Sequence, residues 1–136
     1  MDIVRNITCS MRAGMQHGVI RASAPYGLGL EQKLLPEILK SAGYATHLIG
    51  KWHLGYFQSN HTPTHRGFDS HFGYWSGKED YWDHCESDGG MSGLDFRDGM
   101  RVVRNATNLY STDLFTDKAV EIIEKHAKYK IGRKGK

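Results

Sequence analysis

The chain has little of what usually places a protein quickly. Its 136 residues include only two cysteines, Cys9 and Cys85, too few for a disulfide framework and too far apart for a zinc knuckle. No apolar run approaches the roughly 20 residues that cross a bilayer, and the opening MDIVRNITCSMRAG lacks an apolar stretch of signal-peptide length. Taken literally, such a chain stays in the cytosol. There is no GxSxG elbow, no P-loop and no Rossmann glycine pattern, and GLGL at 27–30 stands alone.

Metal signatures are equally sparse. His61 and His65 are separated by Pro63, so they cannot share a helical face as a HExxH pair does. We read them, with His71 and His84, as loop histidines without a common role. The carboxylates of EDYWDH and LDFRDG match no EF-hand loop and read as surface turns.

What is present is ordered and globular in composition. Hydrophobic residues make up 39% and aromatics 11%, which excludes compositional disorder despite 16 glycines. The length allows one domain. The net charge of +3 comes from the tail KHAKYKIGRKGK; the remainder is mildly acidic. With no aromatic ladder or zinc spacing beside it, this tail over 126–136 reads as a frayed, solvated end and not as a nucleic-acid or membrane-surface binder.

Two helices and a strand are legible. EQKLLPEILKSAGY places Leu34, Leu35, Ile38, Leu39 and Ala42 on one helical face. Pro36 is tolerated only in the first turn, so the helix starts near residues 33–36, and Gly43 stops it. YATHLIG then reads as a buried strand, giving half of an α/β repeat. Residues 55–100 carry no sustained helical period, and their aromatics pin an irregular backbone. STDLFTDKAVEIIEKHAK predicts a helix capped by Ser111 or Thr112, with Phe115, Ala119, Ile122 and Ile123 inward; its pattern stops after Tyr129.

The strand runs into GKWHLG at 50–55, where ligands gather in open α/β sheets. Lys51 and His53, two residues apart on a strand end, share a side, and Trp52 turns into packing. A cation beside an imidazole suits an anionic, oxygen-rich substrate: lysine neutralises developing charge and histidine moves a proton. Spacing alone favours the simpler reading, a strand end whose Lys and His contact water. Three N-x-[ST] triplets, at Asn6, Asn60 and Asn105, are glycan acceptors if the chain enters the secretory pathway.

AGYATHLIGKWHLGYF closely resembles the second signature of the sulfatase family. Around it, LLPEILKSAGY, THRGFDSHFGYWSGKEDYWDH, LDFRDG, YSTDLFTDKAVEII and GMQHGVI resemble the arylsulfatase B-type branch (N-acetylgalactosamine-4-sulfatase type), in order, over about residues 12–125. The resemblance implies an alkaline-phosphatase-like α/β/α sandwich with a central mixed sheet, incomplete here, residues 1–136 being part of the catalytic domain. It implies a lysosomal or secreted glycoprotein that hydrolyses sulfate esters of aryl groups or sulfated sugars. It implies Ca2+ and a formylglycine made from the cysteine of C-x-P-S-R. By match to GKWHLG, Lys51 contacts formylglycine and sulfate oxygens, and His53 bonds the formylglycine hydrate and helps sulfate leave.

The sequence also departs from that pattern. Cys9 is followed by Ser10-Met11-Arg12 and is not the signature; the calcium aspartates and the later active-site histidine and lysine have no counterpart. The expectation is therefore a family member inactive as this isolated chain, a truncated gene model or a true short product, or alternatively a non-catalytic relative that binds sulfated sugars or a partner. The relatives' disulfide partner for Cys85 falls at Ser92.

Overall fold

In the computed structural model, described here for residues 13–133, a four-stranded mixed sheet carries a long helix and a short helix. The short helix α1 spans Leu35–Ser41, with Pro36 in its first turn. The Leu34 amide donates to the Glu37 carboxylate at 2.6 Å, satisfying one orphan donor of that turn. At the other end Gly43 takes φ +85, and its amide and that of Tyr44 donate to the Lys40 and Leu39 carbonyls, the Schellman pattern.

Strand β1, His47–Lys51, follows after a short loop and pairs in parallel with β2, Ser70–Tyr74. β2 pairs antiparallel with β5, Arg97–Asp98, which pairs antiparallel with β6, Arg101–Val102. The predicted central mixed sheet is therefore present, in the order β1-β2-β5-β6. Between β2 and β5 a separate hairpin, β3 (Cys85–Asp88) and β4 (Met91–Leu94), turns through Gly89 and Gly90. Both turn residues have positive φ, as a two-residue hairpin turn twisted to match its strands requires.

The core lies where helix α2, Ser111–Arg133, meets the sheet. Phe96 is fully buried. Its ring stacks on Phe115 of α2 at 5.8 Å and meets Phe72 of β2 edge-on at 5.2 Å. His84 lies tilted against the same ring at 4.4 Å. A second anchor is Arg66, 2% exposed, which donates to the carbonyls of Leu28 and Gln32 and pairs with Glu37. Arg66 thus ties the loop before α1 to the one before β2.

Several expectations change. Ser111 does not cap α2. It is fully buried, its hydroxyl bonding Glu79, His84 and the Tyr81 carbonyl, while the Tyr110 carbonyl takes the Asp113 and Leu114 amides. α2 continues past residue 126 to Arg133, since its Lys, Arg and Ala are good helix formers and cations favour a helix C-terminus. The apolar faces are only partly covered, with Leu35 50% and Ile123 66% exposed. His71 is not a loop histidine but a buried residue of β2, and His84, in the loop before β3, is fully buried; Glu79 and Asp95 are not surface carboxylates. Alternation hides this, because a polar residue looks the same in sequence whether its partner is water or a buried backbone group.

Candidate active site

GKWHLG sits at the end of β1. Trp52 is buried; its indole N–H donates to the carbonyls of Gly55 and His61, and its ring meets Phe68 edge-on. Gly55 has φ +93, and a Cβ there would strike the Cα of Gly27, so this turn closes only around glycine. His53 itself has φ +57. Strand alternation therefore ends at Lys51, and the turn, not the pleat, brings His53 beside it.

Lys51 and His53 line one cleft of about 440 Å³. Its other walls are the segment 19–22, Gly77-Lys78 and the hairpin face bearing Glu86 and Asp88. Lys51 is exposed. His53 donates Nε2–H to the Ile20 carbonyl at 2.9 Å, so in the neutral ring Nδ1 is the acceptor. Gly77 lies directly under the ring; a Cβ there would come within 2.8 Å of Nε2. The backbone beneath is fixed by Asp95, whose carboxylate takes the amides of Trp75 at 3.0 Å and Ser76 at 2.7 Å. Trp75 in turn accepts the His53 amide at its carbonyl.

The segment opposite is held equally firmly. Tyr56 donates to the Ala22 carbonyl at 2.9 Å. Asp88 takes both the amide and hydroxyl of Ser23 and pairs with Arg21 at 3.2 Å. Those two Ser23 bonds, more than the arginine, hold the Asp88 carboxyl below the usual range. Burial, then the charge of Asp95, pushes the Tyr56 phenol up. A second cleft of about 260 Å³ adjoins the first across Ala22, Glu86 and Asp88. The carboxylates of this hairpin and the Asp95–Arg97 pair are the site features that sequence reasoning missed. Two carboxylates spaced i, i+2 on a strand facing the GKWHLG turn were the available signal.

The other candidates lie elsewhere. Asn60 and Asn105 are exposed, but Thr62, the third residue of the first triplet, is 1% exposed and bonds the Ser59 carbonyl; Asn6 lies outside the described residues. His61 bonds Asn60, and His65 bonds Thr62. Cys85 is a free thiol pushed up by burial and then by its bond to Asp83. Ser92 faces Ser87 across the hairpin and not Cys85; Cys9 lies outside the described residues. Among the described residues no three His, Cys, Asp or Glu side chains converge as a metal site, and Cys85 precedes Glu86-Ser87-Asp88, not the x-P-S-R of a formylglycine precursor. These residues do not fit calcium or formylglycine. No helix among the described residues is long and apolar enough to cross a membrane.

Comparison with known proteins supplies the wider frame. The sequence model of the Sulfatase family matches residues 4–131. Arylsulfatase J of Mus musculus is 38% identical over 118 residues, 85% of this chain and 20% of that protein. Arylsulfatase G of Homo sapiens is 48% identical over 65 residues, 46% of this chain and 12% of that protein. Human N-acetylgalactosamine-6-sulfatase is 49% identical over 47 residues, 35% of this chain and 9% of that protein. This chain thus spans a fifth or less of these relatives. The crystal structure of Ps i-CgsB superposes with a TM-score of 0.69 at 23% identity, over 84% of this chain and 27% of that one. That likeness concerns the fold, which is part of an alkaline-phosphatase-like α/β architecture.

Proposed function

This chain belongs to the sulfatase family, and from that premise we propose that its cleft at Lys51 and His53 receives the sulfate group of a sulfate ester. The observation that carries the reading is the convergence of both side chains on one cleft with Lys78, where Arg21 is matched by Asp88 and Glu86 is the one remaining carboxylate, a net cationic setting for an anionic oxygen-rich group. Lys51, exposed and unobstructed, neutralises sulfate oxygens. His53, with Nε2–H engaged by Ile20, handles a proton at Nδ1. Gly77 and Asp95 keep the ring in place. Removing charge from sulfate oxygens as the ester bond breaks is where such a cation contributes most.

In the full reading, residues 1–136 are part of a sulfatase catalytic domain whose substrates are aryl sulfates and sulfated glycosaminoglycan sugars. The resemblance of THRGFDSHFGYWSGKEDYWDH and LDFRDG to the arylsulfatase B-type branch supports the sulfated-sugar part of that class. A lysosomal or secreted setting and glycans at Asn6, Asn60 and Asn105 belong to the same proposal. Without C-x-P-S-R in its sequence, this chain by itself binds the ester and does not turn it over. A non-catalytic role in binding sulfated sugars uses the same cleft.

The test is binding and hydrolysis of 4-nitrophenyl sulfate by the purified chain, with Lys51→Ala and His53→Ala beside it. The reading requires saturable binding lost on Lys51→Ala and no release of nitrophenol. Binding that survives Lys51→Ala sinks the cleft assignment, and turnover lost in either variant overturns the claim of inactivity.

A further inference from the structure

Two loops meet at the start of α2 and carry an aromatic patch that the core does not use. The Asn108 amide donates to the Trp82 carbonyl at 2.8 Å and the Ser111 amide to the Tyr81 carbonyl at 3.0 Å, while buried His84 donates to the Ala106 carbonyl. These bonds stitch residues 80–84 to residues 104–111 and bring three rings together: Tyr110 lies 5.6 Å from Tyr81 and 5.2 Å from Trp82. Yet Tyr81 is 57%, Trp82 55% and Leu109 50% exposed, and a contiguous exposed aromatic group of this kind marks an interaction surface. Its charge is one-sided. Asp80 and Asp83 bracket the Tyr81-Trp82 turn, Asp80 Oδ1 taking the amides of Trp82 and Asp83 at 2.8 and 3.0 Å. Asp113 adds a carboxylate in the first turn of α2, its amide donating to the Tyr110 carbonyl. All three are exposed, against Arg104 as the one cation on those loops. Rings rimmed by carboxylates suit lysine and arginine side chains, which bond the carboxylates and lie over the ring faces.

The complementary surface is on the same molecule. The far end of α2 carries Lys125 and Lys128, both exposed, and Lys130 and Arg133 follow them in the sequence. This end cannot reach its own chain's patch, because Ser111 and Lys128 lie on one continuous helix, about 26 Å apart at the α-helical rise. We propose that the patch of Tyr81, Trp82 and Tyr110 receives the basic end of α2 from a second copy of this chain. The contact joins two different surfaces, so it is head-to-tail, and each pair of copies leaves one patch and one basic end free.

Sedimentation of the purified chain is the test. In about 20 mM salt, where surface charges are weakly screened, the average mass is expected to rise with concentration above the 15.4 kDa of one chain. The rise should fall within about 10–500 μM, the range of a weak surface contact, and about 0.5 M salt should weaken it about tenfold. Tetralysine added to the unaltered chain should dissociate the assembly, a readout that depends on no variant's folding. A patch variant, Trp82→Ala with Asp113→Asn, should weaken association about 30-fold, the loss of one ring contact and one charged hydrogen bond. An end variant, with Lys125→Gln, Lys128→Gln, Lys130→Gln and Arg133→Gln, keeps good helix formers and should stay monomeric with its helical circular dichroism unchanged. Each variant retains the surface that the other lacks, so their mixture should form a one-to-one dimer and grow no further. A chain monomeric throughout, association that neither variant reduces, or a mixture of folded variants that stays monomeric overturns the proposal. Shifts at Trp82 and Tyr110 on adding tetralysine to a chain that does not self-associate assign the patch to a basic partner from elsewhere, and overturn the second copy.

Discussion

Glu79 offers the sharpest test of the packing account, through pH. Its side chain is 1% exposed, accepts the Ser111 hydroxyl at 2.9 Å, and leaves Oε2 3.7 Å from His84 Nδ1. His84 must donate Nε2–H to the Ala106 carbonyl at 2.9 Å, so the bridge from Glu79 through Ser111 to His84 Nδ1 needs one added proton to be satisfied at every link. When Glu79 carries it, the carboxyl donates to the Ser111 oxygen and Ser111 donates to His84 Nδ1. Burial pushes Glu79 up from 4.5 to about 7, the Ser111 bond only partly opposing it. Between those values the folded chain holds a proton that the unfolded chain has lost. Stability therefore falls as pH rises, at about 1.4 kcal/mol per pH unit, or about 3 kcal/mol across the window. His61 and His71, whose pKa values burial lowers, act in the opposite sense, so the informative quantity is the difference between wild type and Glu79→Gln. Glutamine donates to Ser111, which then donates to His84, and the bridge is complete without an extra proton. Urea unfolding of both proteins from pH 4.5 to 7.5 should show the variant gaining about 3 kcal/mol relative to wild type as pH rises. A difference that stays constant across this range refutes the bridge.

Further outcomes follow from the same contacts. Gly77→Ala places a methyl against the His53 ring and should cost about 1–3 kcal/mol while shifting His53 resonances away from their wild-type positions. Asp95→Ala strands the Trp75 and Ser76 amides and should destabilise by about 2 kcal/mol or more in denaturant unfolding. Phe96→Ala, at the fully buried centre of the Phe72–Phe115 cluster, should cost about 3–5 kcal/mol; a loss below about 1 kcal/mol contradicts the placement of the core there.

Much of the frame was legible because it rests on local rules. Pro36 and Gly43 bracket α1, the apolar run ending at Gly50 marks β1, and Phe115 with Ile122 marks the inner side of α2. GKWHLG was legible for the same reason, its position after a strand being part of its meaning. The rest depends on partners distant in sequence. Ser111 looks like a helix cap until Glu79 and His84 arrive beside it. Asp95 looks like a turn residue until the 75–76 amides reach it. His53 and Lys51 share a cleft through a left-handed turn, which no period-two pattern encodes. Asp88 gains its partners Ser23 and Arg21 only when the hairpin folds against the segment at 19–23.

The central claim is that Lys51 and His53 form one sulfate-ester cleft, and amide and side-chain chemical shifts during titration with 4-nitrophenyl sulfate test it most directly. Saturable shifts are expected, concentrated at Lys51, His53, Gly77 and the segment 20–22 and abolished by Lys51→Ala in a folded variant. Shifts confined to the basic end of α2, or undiminished by Lys51→Ala, would contradict it.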